Sequence, residues 1–188
     1  MKVKLIRWAL VAVIAATSVV LIAACGDDEE EGGAEGEAPI VSLLLPENVT
    51  ARWEGQDRPR FTAALKKLVP NARVQVQNAL NDPATQQSQA ESALVKGAKV
   101  LVVAAVDQKA AAVIVNNAKK EDVPVIAYDR LIRNSPLASY VSFDSVAVGR
   151  AESQWVVDHT EKGDPIVIIN GSPHDDNAHL VNQGTHQG

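Results

Sequence analysis

Short apolar runs alternate with amphipathic stretches along most of the chain, beginning at residue 40. Runs of strand length, apolar almost throughout, are typical of parallel strands that helices cover on both faces. The predicted strands are residues 40–45 (IVSLLL), 72–79, 100–106 (VLVVAAV), 123–128 (VPVIAY), 139–143 and 165–170 (PIVIIN). Helical periodicity predicts helices over residues 59–69, 82–97, 107–120 and 144–161. This order predicts an α/β fold, a doubly wound parallel sheet with right-handed crossovers.

The first 24 residues follow a different pattern. Lys2, Lys4 and Arg7 precede an apolar run, which is the layout of a secretory signal peptide, with a transmembrane anchor as the alternative. Small residues directly before Cys25 resemble a bacterial lipobox. We therefore expect residues 1–24 to be a lipoprotein signal peptide and Cys25 to carry the lipid.

Composition then separates a tether from a globular part. Residues 25–38 are acidic and glycine-rich, and such a segment cannot bury enough apolar surface to fold, so we predict a solvated tether. The formal net charge of −5 is concentrated there, which argues against a nucleic-acid partner. With a single Cys, the chain has no disulfide framework and no cysteine-based zinc site, and we expect no metal or other cofactor. The predicted location is extracytoplasmic, anchored by lipid to the outer face of the cell membrane.

Polar side chains follow nearly every predicted strand. In open α/β sheets, ligands bind beyond the carboxyl ends of the strands, so these side chains are the candidate site. They include Glu47, Arg52, Trp53, Asn78, Asp107, Asp129, Arg130, Asp144, Asp175 and Asn177. Phosphate-binding glycine motifs and a GxSxG nucleophile elbow are absent from the sequence. Carboxylates accept from hydroxyls, guanidinium groups donate, and an aromatic ring covers the apolar face of a sugar, so the set favours a neutral, hydroxyl-rich ligand.

The motifs AYDRLI (127–132), GSPHDDNA (171–178) and the Arg52-Trp53 dipeptide resemble a known family. They are similar to bacterial sugar-binding proteins of the type I periplasmic-binding-protein fold, most closely the xylose-binding branch that serves ABC importers. The resemblance implies a lobe with a Rossmann-like sheet and a monosaccharide ligand, with a pentose such as xylose favoured. It also implies delivery of that sugar to permease subunits of an ABC transporter.

The same resemblance implies six sugar-binding residues. In the family, the Arg-Trp dipeptide meets the sugar and the Trp stacks on it, while the Asp-Arg pair and the Asp and Asn of the last motif bind hydroxyls. Carried over, these are Arg52, Trp53, Asp129, Arg130, Asp175 and Asn177. Two departures are present: three residues separate Trp53 from Asp57 where two are usual, and Asp176 stands where a second Asn is common.

Members of this family fold as two lobes that trap the sugar between them. The resemblance implies that residues 39–143 form the amino-terminal sugar-binding lobe. Residues 144–188 then supply only the beginning of the carboxyl-terminal lobe, so we expect the 188 residues to be a truncated reading frame.

Alternatives to a transport role remain at this point. A chemosensory or signalling receptor would use the same sugar site. A sugar-responsive repressor shares the fold, but the lipobox and the lack of a preceding helix-turn-helix argue against it. A glycoside hydrolase would require an acid and a base at a defined separation, which sequence does not show.

Overall fold

The computed structural model describes residues 38–188, and its centre is a parallel sheet. The strands are β1 (Ile40–Leu45), β2 (Arg73–Asn78), β3 (Ala98–Val103), β4 (Val125–Tyr128) and β5 (Ser139–Val141). They lie in the order β2-β1-β3-β4-β5, and every neighbouring pair is parallel. The predicted α/β fold with a doubly wound parallel sheet is confirmed.

Three helices connect the first four strands, and two more follow β5. They are α1 (Arg58–Leu68), α2 (Pro83–Val95), α3 (Ala112–Lys120), α4 (Ser145–Asp158) and α5 (Asp176–Thr185). A π-helical turn, Trp53–Asp57, leads directly into α1, where the sequence predicted a loop. Asp82 caps α2 as predicted, because its side chain accepts from the backbone N–H groups of Ala84 and Thr85.

The helix predicted to start at residue 107 begins five residues later. The Asp107 carboxylate accepts from the backbone N–H groups of Lys109 and Ala110 and so closes a separate turn. The α-helix follows only from Ala112. The aspartate therefore caps the turn that precedes the helix rather than the helix itself.

Both faces of the central strands β1 and β3 are largely buried, as their apolar sequences predicted. Successive side chains of β1 point to opposite faces, so Leu44 packs with Leu101 and Ile114 against α3. On the other face, Leu43 and Trp53 pack in a second cluster. Full burial of one such aliphatic side chain is worth about 1.5–3 kcal/mol, which makes this sheet a firm base for the loops at its edge.

Two glycines allow α4 and α5 to pack closely. A Cβ atom on Gly149 would collide with the carbonyl oxygen of Val181, and one on Gly184 with that of Val146. The backbones of the two helices are therefore in direct contact at these positions. This contact fixes where α5 lies.

The strand predicted over residues 165–170 is wrong. The segment is irregular and exposed, and no strand of the described residues lies beside it. An apolar run can become a strand only where another strand satisfies its backbone groups. Trp155 in α4 is 62% exposed, and its ring stacks on His159.

Some sequence predictions lie outside the described residues. These are the signal peptide over residues 1–24, Cys25 and nearly all of the tether over residues 25–38. Within residues 38–188, none of the helices is long and apolar enough to cross a membrane.

Candidate functional site

All six predicted sugar-binding residues gather at the carboxyl ends of the strands. Arg52 and Trp53 follow β1, Asp129 and Arg130 follow β4, and Asp175 and Asn177 lie at the start of α5. They come from three separate segments of the chain. Hydrogen bonds and ion pairs join five of them into one network, and Trp53 contacts the two arginines through its ring. The parallel sheet brings them together because its carboxyl ends meet at one edge.

Arg52 holds one side of this network. Its Nη2 lies 2.7 Å from Oδ2 of Asp129, and its Nε lies 2.8 Å from Oδ2 of Asp57. The Tyr128 hydroxyl donates to Oδ1 of Asp57 at 2.9 Å. Tyr128 stands in the AYDRLI motif and Asp57 lies four residues after Trp53, although neither was assigned a role from the resemblance. Their positions beside those motifs were the available signal.

Asp129 occupies an unusual backbone conformation. Its φ angle is +64°, in the left-handed region that non-glycine residues rarely adopt and that clusters at functional sites. The backbone is held there by its own N–H, which donates to the Val141 carbonyl at 2.7 Å. The Asp129 carbonyl in turn accepts from the hydroxyls of Ser142 at 2.7 Å and Tyr140 at 3.2 Å. The turn after β4 is thus built to present the Asp129 side chain.

Arg130 forms the other side of the network. Its Nε lies 2.9 Å from Oδ2 of Asp175, and its Nη1 donates to the Ala105 carbonyl at 3.4 Å. Burial raises the pKa of the Asp175 carboxyl, although Arg130 and the backbone N–H of Asn177 oppose that shift. Asp175 also caps α5 through that N–H at 3.0 Å, so its capping and pairing roles coexist.

Trp53 lies beneath the two arginines rather than on an open surface. Only 2% of the residue is exposed, and the guanidinium carbons of Arg52 and Arg130 lie 4.3 and 5.5 Å from its ring centroid. Such cation–π contacts hold the guanidinium groups in place. The polar neighbours of Trp53 suggested a ring facing the ligand, whereas the π-helical turn directs it inward. A stacking contact with sugar stays a prediction.

Glu47 is a site residue without an assigned role in the sequence analysis. Its Oε1 accepts from the indole N–H of Trp53 at 2.7 Å, and its Oε2 accepts from the backbone N–H groups of Val49 and Thr50 at 2.6 and 2.8 Å. Burial alone raises the pKa of the Glu47 carboxyl, but hydrogen bonds from Thr50, Trp53 and Val49 outweigh burial and lower it. Its place directly after β1, at the same edge as the other residues, was the signal for it.

An open groove of about 360 Å³ lies next to Arg52 and Asp129. Its lining residues are Arg52, Gln56, Asp57, Tyr128, Asp129, Val141, Ser142 and Phe143. The volume is within the range of small-molecule sites, and the lining joins carboxylates and a guanidinium to aromatic and aliphatic carbon. The groove can accept a small molecule that both donates and accepts hydrogen bonds.

Among the described residues, no three His, Cys, Asp or Glu side chains are grouped as metal ligands. His174, which follows Pro173 in the last motif, is hydrogen-bonded to Asp107: Nδ1 of His174 lies 2.6 Å from Oδ2 of Asp107. The chemistry available at this edge is recognition through paired donors and acceptors.

Comparison with known proteins agrees with this architecture. Residues 41–188 match the family model described as periplasmic binding protein domain. The chain is 35% identical over 144 residues to the D-xylose-binding periplasmic protein of Escherichia coli, covering 77% of this chain and 42% of that protein. It is 33% identical over 150 residues to the multiple sugar-binding periplasmic receptor ChvE of Rhizobium radiobacter, with 77% and 42% covered.

Solved structures show the same likeness. A carbohydrate transporter solute-binding protein from Chloroflexus aurantiacus, in complex with D-glucose, is 36% identical with a TM-score of 0.71, covering 77% of this chain and 42% of that one. The myo-inositol-binding protein of Caulobacter, bound to myo-inositol, is 30% identical with a TM-score of 0.71, covering 81% and 52%. The chain spans about 42% of the length of the curated relatives it matches. On the family match over residues 41–188, the chain belongs to the periplasmic binding protein domain family.

Proposed function

We propose that this chain forms the sugar-recognising part of an extracytoplasmic solute-binding protein that captures a monosaccharide and delivers it to an ABC import permease. The observation that carries the proposal is the network that joins Arg52, Asp129, Arg130, Asp175 and Asn177 at one edge of the sheet. Relatives named for binding xylose and several sugars support the same role.

The network suits a neutral polyol. Each hydroxyl of a sugar donates one hydrogen bond and accepts others, so it needs carboxylates and guanidinium groups side by side. Asp129 and Asp175 offer acceptors, while Arg52, Arg130 and Asn177 offer donors. These groups satisfy one another in the structure, and sugar hydroxyls would exchange with those contacts rather than leave any charge unpaired.

A pentose such as xylose is the ligand we favour. The support is the identity to the xylose-binding relatives together with the AYDRLI and GSPHDDNA motifs. Relatives of known structure were solved with glucose and with myo-inositol, so a six-membered ring with several hydroxyls is the feature common to these ligands.

The remaining features of the proposal come from sequence. In it, residues 39–143 are the first lobe, residues 144–188 are the beginning of the second, and a lipid on Cys25 anchors the protein to the outer face of the cell membrane. The proposal is binding rather than hydrolysis, because the relatives are named as sugar-binding proteins.

Calorimetry tests the proposal. The protein used is the full-length gene product, that is, the product of the complete reading frame that contains these residues. It is titrated with D-xylose, D-ribose, L-arabinose, D-galactose, D-glucose and myo-inositol. We expect a micromolar isotherm, tightest for a pentose. Tighter binding of a hexose would correct the ligand, and no binding of any of the six would contradict the proposal.

A further inference from the structure

A second charged contact joins the same segments outside the predicted set. Arg133 lies in the loop after β4, and Asp176 is the first residue of α5. Nε of Arg133 donates to Oδ1 of Asp176 at 2.6 Å, and Nη2 of Arg133 contacts the same oxygen. Asp176 is only 1% exposed, so its carboxylate is removed from water and depends on this guanidinium group for compensation.

Backbone hydrogen bonds around Gln108 hold Arg133 in place. The N–H of Arg133 donates to the Gln108 carbonyl at 2.8 Å, and the N–H of Gln108 donates to the His174 carbonyl at 3.0 Å. The Gln108 side chain, itself nearly buried, donates to the Pro173 carbonyl at 3.3 Å. The loop after β3, the loop after β4 and the segment leading into α5 therefore meet at one junction.

Asp176 lies between two predicted sugar ligands, Asp175, which caps α5, and Asn177, the second residue of the helix. Asp175 pairs with Arg130, and Asn177 donates to Asp129. Successive residues of an α-helix point about 100° apart, so fixing one side chain fixes the rotation of the helix and the direction of its neighbours. Arg133 contacts none of the six predicted residues directly and acts on them through Asp176.

We propose that Arg133 and Asp176 are a positioning pair that sets the rotation of α5 and so holds Asp175 and Asn177 in the sugar site. The inference rests on the proposed function for its effect on sugar affinity. The structural claim, that the pair places Asn177 against Asp129, does not depend on any sugar.

A double-mutant cycle in the full-length gene product tests the pair. Arg133→Gln, Asp176→Asn and the double variant are titrated with D-xylose by calorimetry. Each single variant should weaken affinity about tenfold, because it leaves one buried or half-buried charge without its partner. The double variant should bind no worse than either single one, because Gln and Asn form a neutral hydrogen-bonded pair. Arg58→Gln, which breaks the exposed pair with Glu54, is the matched control and should change affinity less than twofold.

A second measurement separates positioning from general stability. The side-chain amide signals of Asn177 are followed by ¹⁵N NMR in the sugar-free protein and assigned with Asn177→Ala. Both single variants should move these signals, and Arg58→Gln should not. If D-xylose fails to bind the unaltered protein, the proposed ligand is wrong. The Asn177 signals alone then test whether Arg133 and Asp176 position that side chain. If the single variants lower the melting temperature yet leave the Asn177 signals and the affinity unchanged, the positioning role is overturned.

Discussion

The side-chain amide of Asn177 donates to two oxygens of Asp129, to Oδ1 at 2.9 Å and to the backbone carbonyl at 3.2 Å. The amide oxygen of Asn177 accepts from the Ser145 hydroxyl at 3.2 Å, which fixes the direction in which its NH₂ group points. This relationship links the start of α5 to the left-handed turn after β4. It makes Asn177 both a predicted sugar ligand and a structural contact.

Replacing Asn177 with Ala removes both hydrogen bonds and leaves oxygens of Asp129 with fewer donors. We expect the full-length gene product to lose about 1–3 kcal/mol of unfolding free energy at neutral pH. Urea unfolding at fixed protein concentration measures the change. Asn116→Ala, on the exposed side of α3, is the control and should be nearly neutral. Equal losses in the two variants would contradict a role for Asn177 in holding α5.

Glu47 predicts a specific dependence of stability on pH. The hydrogen bonds that outweigh burial place the pKa of this carboxyl below its ordinary value in the folded state. The pKa of a Glu carboxyl in an unfolded chain is about 4.3, and above that pH the ionised Glu47 carboxylate stabilises the folded protein fully. This stabilisation is lost as the pH falls through the lowered pKa of the folded state. Glu47→Gln cannot lose a proton, so its unfolding free energy should decline less steeply below about pH 4.5.

The measurement is a set of urea midpoints between acid and neutral pH for both proteins. At pH 7 the variant should also be less stable, because a Gln side chain cannot accept from Trp53, Val49 and Thr50 at once. If the unfolding free energies of the two proteins fall equally steeply below about pH 4.5, Glu47 does not contribute this pH dependence.

The sheet could be predicted from sequence because its signal is local. Residues 40–45 and 100–106 are apolar almost throughout, and that pattern favours burial on both faces, which helices on either side then provide. Residues 165–170 carry an equally apolar pattern and are nevertheless irregular. Whether such a run pairs depends on a neighbouring strand, and that information does not lie in the run itself.

The site was predictable in position but not in its contacts. The rule that ligands bind at the carboxyl ends of parallel strands located Asp129 and Arg130. It does not give side-chain partners, so the pairing of Arg52 with Asp129 and the acceptor role of Glu47 were missed. The contacts of Trp53 could not be predicted either, because the residues next to it in sequence do not show that Arg52 and Arg130 lie over its ring.

The contact between α4 and α5 predicts that Gly184→Ala is strongly destabilising. The new Cβ would meet the carbonyl oxygen of Val146, which belongs to a helix backbone and cannot move aside alone. We expect a loss of about 1–3 kcal/mol of unfolding free energy, or more, with weaker sugar binding because α5 carries Asp175 and Asn177. Gly55→Ala, where nothing lies within 4 Å of the added Cβ, is the control. Thermal melts of both variants make the comparison, and a normal melt for Gly184→Ala would refute the close packing.

The proposed lipid anchor depends on Cys25 and is tested by replacing that residue. Cys25→Ala removes the only sulfur that a lipid can modify at this position, so the protein should no longer be processed and anchored through that residue. Membrane and soluble fractions are compared by immunoblotting, with labelling by a radioactive fatty acid as the second readout. Ser42→Ala, buried in β1, is not expected to affect either measurement. Equal labelling of the variant and the unaltered protein would contradict lipidation at Cys25.

The exposed segment 165–170 predicts self-association of the 188-residue chain. Val167 and Ile169 are 84% and 92% exposed, and Val157 of α4, which is 56% exposed, lines the same groove. A contiguous apolar run with unpaired backbone groups is a site for strand pairing between molecules. Replacing Val167 and Ile169 together with Lys should shift the chain toward monomer, because charges on such a run oppose pairing between copies. Light scattering after size exclusion measures the mass over a concentration series. Val95→Lys is the control, at a similarly exposed valine at the end of α2. If this single replacement suppresses association to the same extent as the double replacement, residues 165–170 are not the contact.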